Sequence, residues 1–128
     1  MGPNDLETLL AQWEAVYKKG LLTLWLMLLL AQRKAYPYEM KAAIAELSQN
    51  TITAEENSIY RALKRLAQSG IVDSEIRQSE TGPSRRYFYL TPLGVDLLTA
   101  FIERNIRIFQ QPDVGKLLDR VTSPTRSQ

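Results

Sequence analysis

The apolar positions of this 128-residue chain change period several times, and each change marks a boundary between elements. Leu6, Leu9, Leu10, Trp13, Val16 and Tyr17 recur at helical spacing within about 100° of arc, which predicts an amphipathic helix to about Lys19, capped by Asn4 or Asp5. After Gly20, the run from Leu21 to Ala31 is apolar on every side, the pattern of a helix buried in a core. Gln32 to Tyr36 reads as a short connection. Pro37 at a first helical position opens a third helix to about Leu47, with Tyr38, Ala42, Ile44 and Leu47 as its apolar contacts. Ser48 to Thr53 is then a turn, and Thr53 with Glu56 three residues on has the spacing of a capping box.

The next helix, Glu55 to Ser69, is the most informative element. With side chains about 100° apart, Ile59, Leu63 and Leu66 share one face, with Ala62 and Ala67 at its margins. Asn57, Arg61, Lys64 and Gln68 form the opposite stripe, flanked by Ser58, Tyr60 and Arg65. Ser69-Gly70 stops the helix. Ile71 to Arg77 then alternates apolar and polar, Arg86 to Leu90 is rich in aromatic strand formers, and the loop Gln78 to Ser84 between them is punctuated by Gly82-Pro83. The pattern predicts a two-stranded hairpin with Arg85 and Arg86 just beyond its turn, Phe88 and Leu90 facing in and both arginines projecting outward. Thr91-Pro92 opens a last long helix that Gln110-Gln111-Pro112 ends, followed by a tail with a short helix around Val114 to Val121 and a disordered polar end.

A basic polar stripe on a helix, followed by a hairpin carrying arginines, is the outline of a winged helix-turn-helix. Asn57, Ser58, Tyr60, Arg61, Lys64 and Arg65 can reach base edges and phosphates from a major groove, and Arg85 and Arg86 can lean on a backbone or enter a minor groove. A solvated helix face and ordinary surface arginines would give the same residues, and Tyr60 also suits a buried or rim position. The charge distribution weighs for nucleic acid. The whole chain carries a formal +2 and has a pI of about 9.0, yet between Asn57 and Tyr89 six Arg and Lys stand against Asp73, Glu75 and Glu80, a larger surplus than the chain as a whole.

Absences exclude other classes. With no Cys and no His, thiolate chemistry, disulfides, a Ser-His-Asp arrangement and the common zinc ligand sets are ruled out. Glu55-Glu56 sits in a first turn, where negative charge complements the helix dipole, and there is no glycine-rich phosphate loop. The expectation is no enzyme, no cofactor and no metal. Leu21 to Ala31 would span about half of a ~30 Å hydrocarbon core, and the acidic segment before it is unlike a signal peptide. Met1 to Leu6 lacks a myristoylation signal. A cytoplasmic protein without membrane attachment is expected.

Three ordered motifs carry a resemblance. Tyr36-Pro37-Tyr38-Glu39-Met40, the run Asn57 to Leu66, and Gly82-Pro83-Ser84-Arg85-Arg86-Tyr87-Phe88-Tyr89-Leu90-Thr91 resemble the PadR family of transcriptional regulators, over about two thirds of the chain. The family consensus there reads roughly Tyr-Gly-Tyr-Glu, Thr-Leu-Tyr-Pro-Ala-Leu-Lys-Arg-Leu and Gly-Pro-Arg-Arg-Lys-Tyr-Tyr-Arg-Leu-Thr. Pro37 stands where the family usually has Gly, Arg61 where it has Pro, and Tyr89 where it has Arg. Within the family, Ala35 to Met40 and Lys18 to Trp25 are similar to the cyanobacterial circadian members. The resemblance implies a repressor that binds double-stranded DNA as a homodimer through its terminal helices.

That implication fits the apolar surplus. Leu6, Leu9, Leu10 and Trp13 on the first helix, and Leu98, Phe101, Ile102 and Phe109 within the broad arc of the last, exceed what a winged-helix core can use, and a two-fold axis would bury them and match a pseudo-palindrome. The first helix could instead fold back on its own domain. Trp13 and Trp25 are available to core packing or to a cavity for a small-molecule effector, for which no motif exists. The expected architecture is mainly α with a small two-stranded β-wing. Residues 1–19 form a dimerisation helix, 20–92 a winged helix-turn-helix with DNA-binding function, 92–110 a second dimerisation helix and 111–128 a tail. The alternative is a winged helix that contacts proteins rather than DNA, distinguishable by whether affinity for duplex exists and falls steeply with salt.

Overall fold

The computed structural model describes residues 5–124, so Asn4, the first residues weighed for myristoylation and the extreme polar end lie outside the described residues. The element order is α1 (Leu6–Tyr17), α2 (Leu21–Gln32), α3 (Pro37–Leu47), α4 (Glu56–Gln68), β1 (Val72–Arg77), β2 (Arg85–Leu90), α5 (Pro92–Asn105), a 3₁₀ turn (Arg107–Gln110) and α6 (Pro112–Thr122). Two compact units result, Met1–Val95 and Asp96–Gln128. The division falls inside α5 rather than between the four segments expected from sequence.

In the first unit the core is built on α2. Leu26 and Leu29 of that helix, Met40 and Ile44 of α3, and Ile59 and Leu63 of α4 are its largest fully buried side chains. An apolar run without a polar face has to be covered on all sides, and α2 packs against α3, α4 and β2 together. Each buried Leu or Ile stabilises by roughly 1.5–3 kcal/mol relative to exposure. Helix α3 differs in part from its sequence pattern: Ile44 is buried as expected, but Met40 joins it, whereas Tyr38 and Ala42 are exposed.

The turn between α3 and α4 is held by one hydroxyl. Ser48 Oγ, which is buried, accepts from the Ile52 N–H (3.0 Å) and donates to the Ile52 carbonyl (3.1 Å). This lets Gln49 and Asn50 take left-handed φ values of 53° and 65°, a conformation of which Asn is comparatively tolerant. The expected capping box from Thr53 does not form. The chain stays extended through Glu55, which is the N-cap without a side-chain cap bond; its carboxylate lies 3.4 Å from Lys41 Nζ.

Strands β1 and β2 pair antiparallel from Val72↔Leu90 to Arg77↔Arg85. A third segment joins them: Ala35, expected in a plain connection, bridges Phe88 on the free edge of β2, with Phe88 N–H donating to Ala35 O (2.7 Å) and Ala35 N–H to Phe88 O (3.2 Å). Phe88 is itself buried, so the hairpin is fastened to the helical core by side chain and backbone. At its far end, Thr91 Oγ1 donates to the Gly70 carbonyl (2.6 Å) and accepts from the Gly94 N–H (3.1 Å), the cap expected for α5.

The second unit departs from the expected single helix to residue 110. Helix α5 stops at Asn105, whose side-chain amide donates to the Phe101 carbonyl (3.2 Å) and so competes for the last turn. Helix α6 is longer than the short helix expected and begins with Pro112 at its first position.

Gly94 shows the tightest backbone approach in the first unit. A Cβ there would press into the Ile71 carbonyl oxygen and lie 3.2 Å from Leu90 Cδ2. Gly94→Ala should therefore cost about 1–3 kcal/mol of stability, measured by urea unfolding, whereas Gly115→Ala, which meets open space, should not destabilise.

Candidate nucleic-acid interface

Helix α4 presents Asn57, Tyr60, Arg61, Lys64 and Arg65 to solvent, while Ile59, Ala62, Leu63 and Leu66 are buried. The 3.6-residue period dictates this split. Ser58 is half-buried and its hydroxyl accepts from the Arg61 guanidinium (3.3 Å). Tyr60 is 52% exposed, which rules out the buried position weighed for it.

Of the other cations in the first unit, five have carboxylate partners, while Lys19 has none among the described residues. Lys18 pairs with Glu14, Arg33 with Glu39 (2.9 Å), Lys34 with Glu75 (2.8 Å), Lys41 with Glu55, and Arg77 with Glu75 (3.0 Å). Among the described residues, no carboxylate pairs with Arg61, Lys64, Arg65, Arg85 or Arg86. Apart from Lys19, the unmatched positive charge thus lies on α4 and at the start of β2. Exposed pairs of the first kind contribute little stability each, so their main consequence is where they leave charge uncompensated.

The hairpin places its two arginines on opposite faces. Side chains alternate along a strand, and the register sets Phe88, Leu90 and Arg86 on the face toward the core, with Arg85, Tyr87 and Tyr89 on the other. Arg86 leans across the sheet, where its guanidinium donates to Ser74 Oγ (2.9 Å). Arg85 lies over the Tyr36 ring at 4.5 Å. Both arginines are exposed, as expected, but they do not share a direction.

The outer face is a set of cations stacked on tyrosines. Because Ala35 bridges Phe88 and faces the core with it, Lys34 and Tyr36 fall on the outer face. Lys34 Nζ sits 4.8 Å from the Tyr89 ring, Arg77 lies 4.3 Å from that of Tyr87, and Tyr36 meets Tyr87 edge-on at 5.2 Å and 69°. Exposed cation–π contacts of this kind contribute about 0.5–1 kcal/mol each. Glu75 ties the group together, and the hydrogen bonds from Lys34 first and Arg77 second hold its carboxyl below the usual glutamate range.

A cleft of about 390 Å³ joins the elements. It is lined by Tyr36, Pro37 and Tyr38 from the entry to α3, Tyr60 from α4, and Ser84, Arg85, Arg86 and Phe88 from the hairpin. Sequence reasoning singled out Tyr60, Arg85 and Arg86 but missed Tyr36, Tyr38 and Ser84. The available signal was Lys34-Ala35-Tyr36, a polar–apolar–polar alternation that read as a connection because it is only three residues long.

The predicted dimer residues divide. Leu6, Leu9, Leu10 and Trp13 on α1, and Phe101 and Phe109, are exposed; Ile102 is half-buried; Leu98 is buried already within one chain. Trp13 is 74% exposed and Trp25 half-buried, so neither is fully buried in the core. No helix of the described residues is long and apolar enough to cross a membrane.

Three helices, a tight turn between the second and third, and a hairpin fastened beside the third with unpaired cations on both define a winged helix-turn-helix. Residues 26–100 match the model of the transcriptional regulator PadR-like family. The chain belongs to that family of transcriptional regulators. It is similar to the crystal structures of a PadR family regulator from Eggerthella lenta (26% identity, 88% of this chain and 95% of that one, TM-score 0.65) and a PadR-like regulator from Bacillus cereus (25%, 79% and 94%, TM-score 0.64). It also resembles Bacillus subtilis PadR in complex with operator DNA, at 21% identity and TM-score 0.59 over 64% of this chain, and spans 46% of that protein's length. A protein of Lysinibacillus sphaericus, uncharacterised protein X, is 22% identical over 85 residues, which is 66% of this chain and 78% of that protein.

Because Glu75's carboxyl is held low, its bonds to Lys34 and Arg77 are intact above the ordinary glutamate range and are lost as pH falls through the lowered value. An NMR titration should place the Glu75 midpoint below that of an unpaired glutamate, and Lys34→Met should move it back up.

Proposed function

We propose that this protein is a sequence-specific DNA-binding transcriptional regulator, a repressor acting as a homodimer on a pseudo-palindromic operator. The observation that carries the reading is the cleft that sets Tyr60 of α4 beside Arg85 and Arg86 of the hairpin. Helix and wing then address one duplex together, with unpaired cations on both. Asn57, Ser58, Arg61, Lys64 and Arg65 lie in the major groove and supply amide, hydroxyl and guanidinium groups to base edges and flanking phosphates, while the wing arginines contact the backbone or minor groove.

The homodimer rests on α1. None of its residues is buried, and Leu6, Leu9, Leu10, Trp13, Val16 and Tyr17 are between 46% and 79% exposed. A continuous apolar stripe of that size on one helix is unfavourable in water and is satisfied by a second copy across a two-fold axis. Phe101 and Phe109 extend the same logic to the second unit. Leu98, being buried, has little surface left to offer a partner.

Two measurements test this reading. Fragments of the source genome retained by the chain supply the operator, and Arg61→Ala should then lose about 1–3 kcal/mol on it and less on random duplex. Equal loss on every duplex would make Arg61 a phosphate clamp; a wild-type chain without salt-dependent duplex affinity would shift the assignment to a protein-contact module. Sedimentation should give two chains per particle at micromolar concentration and one after Leu9→Glu with Trp13→Glu, and a monomeric wild type would reject the dimer.

A further inference from the structure

The three tyrosines of the cleft are in different situations. Tyr36 is fixed, with the Arg85 guanidinium 4.5 Å above its ring and the Tyr87 ring against its edge. Tyr38 and Tyr60 are 75% and 52% exposed, and among the described residues neither hydroxyl has a hydrogen-bond partner. No carboxylate lines the cleft. The nearby acid of α3, Glu39, is already committed to Arg33 (2.9 Å) and to the Tyr36 N–H (3.3 Å). The opening therefore offers hydroxyl donors from Tyr38, Tyr60 and Ser84 and two guanidinium groups, with nothing to repel an anion. At about 390 Å³ it has room for a phosphodiester with its sugars.

We propose that this cleft seats one DNA backbone phosphate of each half-site, between the groove entered by α4 and the strand reached by the wing. The Tyr38 and Tyr60 hydroxyls donate to its non-bridging oxygens, and Arg85 supplies charge. Tyr36 is a positioning residue: its ring carries the Arg85 guanidinium to the mouth of the cleft. Wing and helix thereby hold the same stretch of backbone, which fixes the register in which α4 meets the bases. The proposal rests on the DNA-binding reading above and goes beyond it in assigning the phosphate and the tyrosines.

The test is anisotropy titration of the full chain on the selected operator and on random duplex over a range of salt, with phosphate-ethylation interference on the operator. Tyr38→Phe and Tyr60→Phe, which remove one oxygen each and preserve the ring, should each weaken both duplexes alike by about three- to tenfold. Neither should alter the salt slope, since a neutral hydroxyl displaces no counterion, and the double variant should lose one interference position per half-site. Arg85→Ala should flatten the slope by about one unit. Tyr36→Leu should flatten it similarly, while Tyr36→Phe, which retains the ring, should bind as wild type. A folded Tyr38→Phe/Tyr60→Phe double variant with unchanged affinity and interference, alongside an Arg61→Ala variant that has lost operator affinity, would overturn the phosphate seat and leave the DNA-binding reading standing. A wild-type chain that binds no duplex would overturn both.

Discussion

The double anchorage of Phe88 is the constraint on which the rest of the first unit depends. Its side chain is buried with the core of α2, α3 and α4, and its backbone pairs with Ser74 on one side and Ala35 on the other. A two-stranded hairpin alone is marginal in water, and its tip would wander relative to the helices. Tied at Phe88, three residues before its end at Thr91 and two after Arg86, the hairpin has a fixed position beside α4. The cleft that brings Tyr60, Arg85 and Arg86 together is a consequence of that seam.

Electrostatics then differentiates surfaces of similar composition. Basic residues occur on α3, on both faces of the hairpin and on α4, and a sequence treats them as equivalent. Pairing separates them: Lys34, Arg77, Arg33 and Lys41 each find a carboxylate, while Arg61, Lys64 and Arg65 find none among the described residues. Surface pairs of this kind contribute little to stability. Their effect is on where positive charge is left without a partner, which is on α4 and at Arg85 and Arg86.

Most of the secondary structure was legible because it rests on local periods. Helices α2 and α3, the burial split of α4 and the two strands of the hairpin follow from spacing of apolar residues and from Gly70, Pro37 and Thr91-Pro92, which act over three or four positions. Legibility failed where a residue's partner is distant. The Ala35–Phe88 bridge and the Lys34–Glu75 bond, the latter across 41 positions, leave no trace in a local pattern. Thr53 does not cap α4 because the chain stays extended to Glu55 and the helix starts at Glu56, and Tyr38 faces outward while Met40 and Ile44 take the inward side of α3.

By itself, then, the sequence determined the class of fold, the two faces of α4, the presence of arginines on the hairpin and the apolar surplus of α1, because each is a property of one element and its period. The tertiary structure alone decided which cations remain unpaired, that Arg85 and Arg86 diverge, that Tyr36, Tyr38 and Tyr60 converge on one cleft, and that Leu98 is spent inside its own chain. Those outcomes depend on which elements become neighbours: the apolar run of α2 requires cover but does not say that α3, α4 and β2 supply it, and the seam at Phe88 joins residues far apart in the chain.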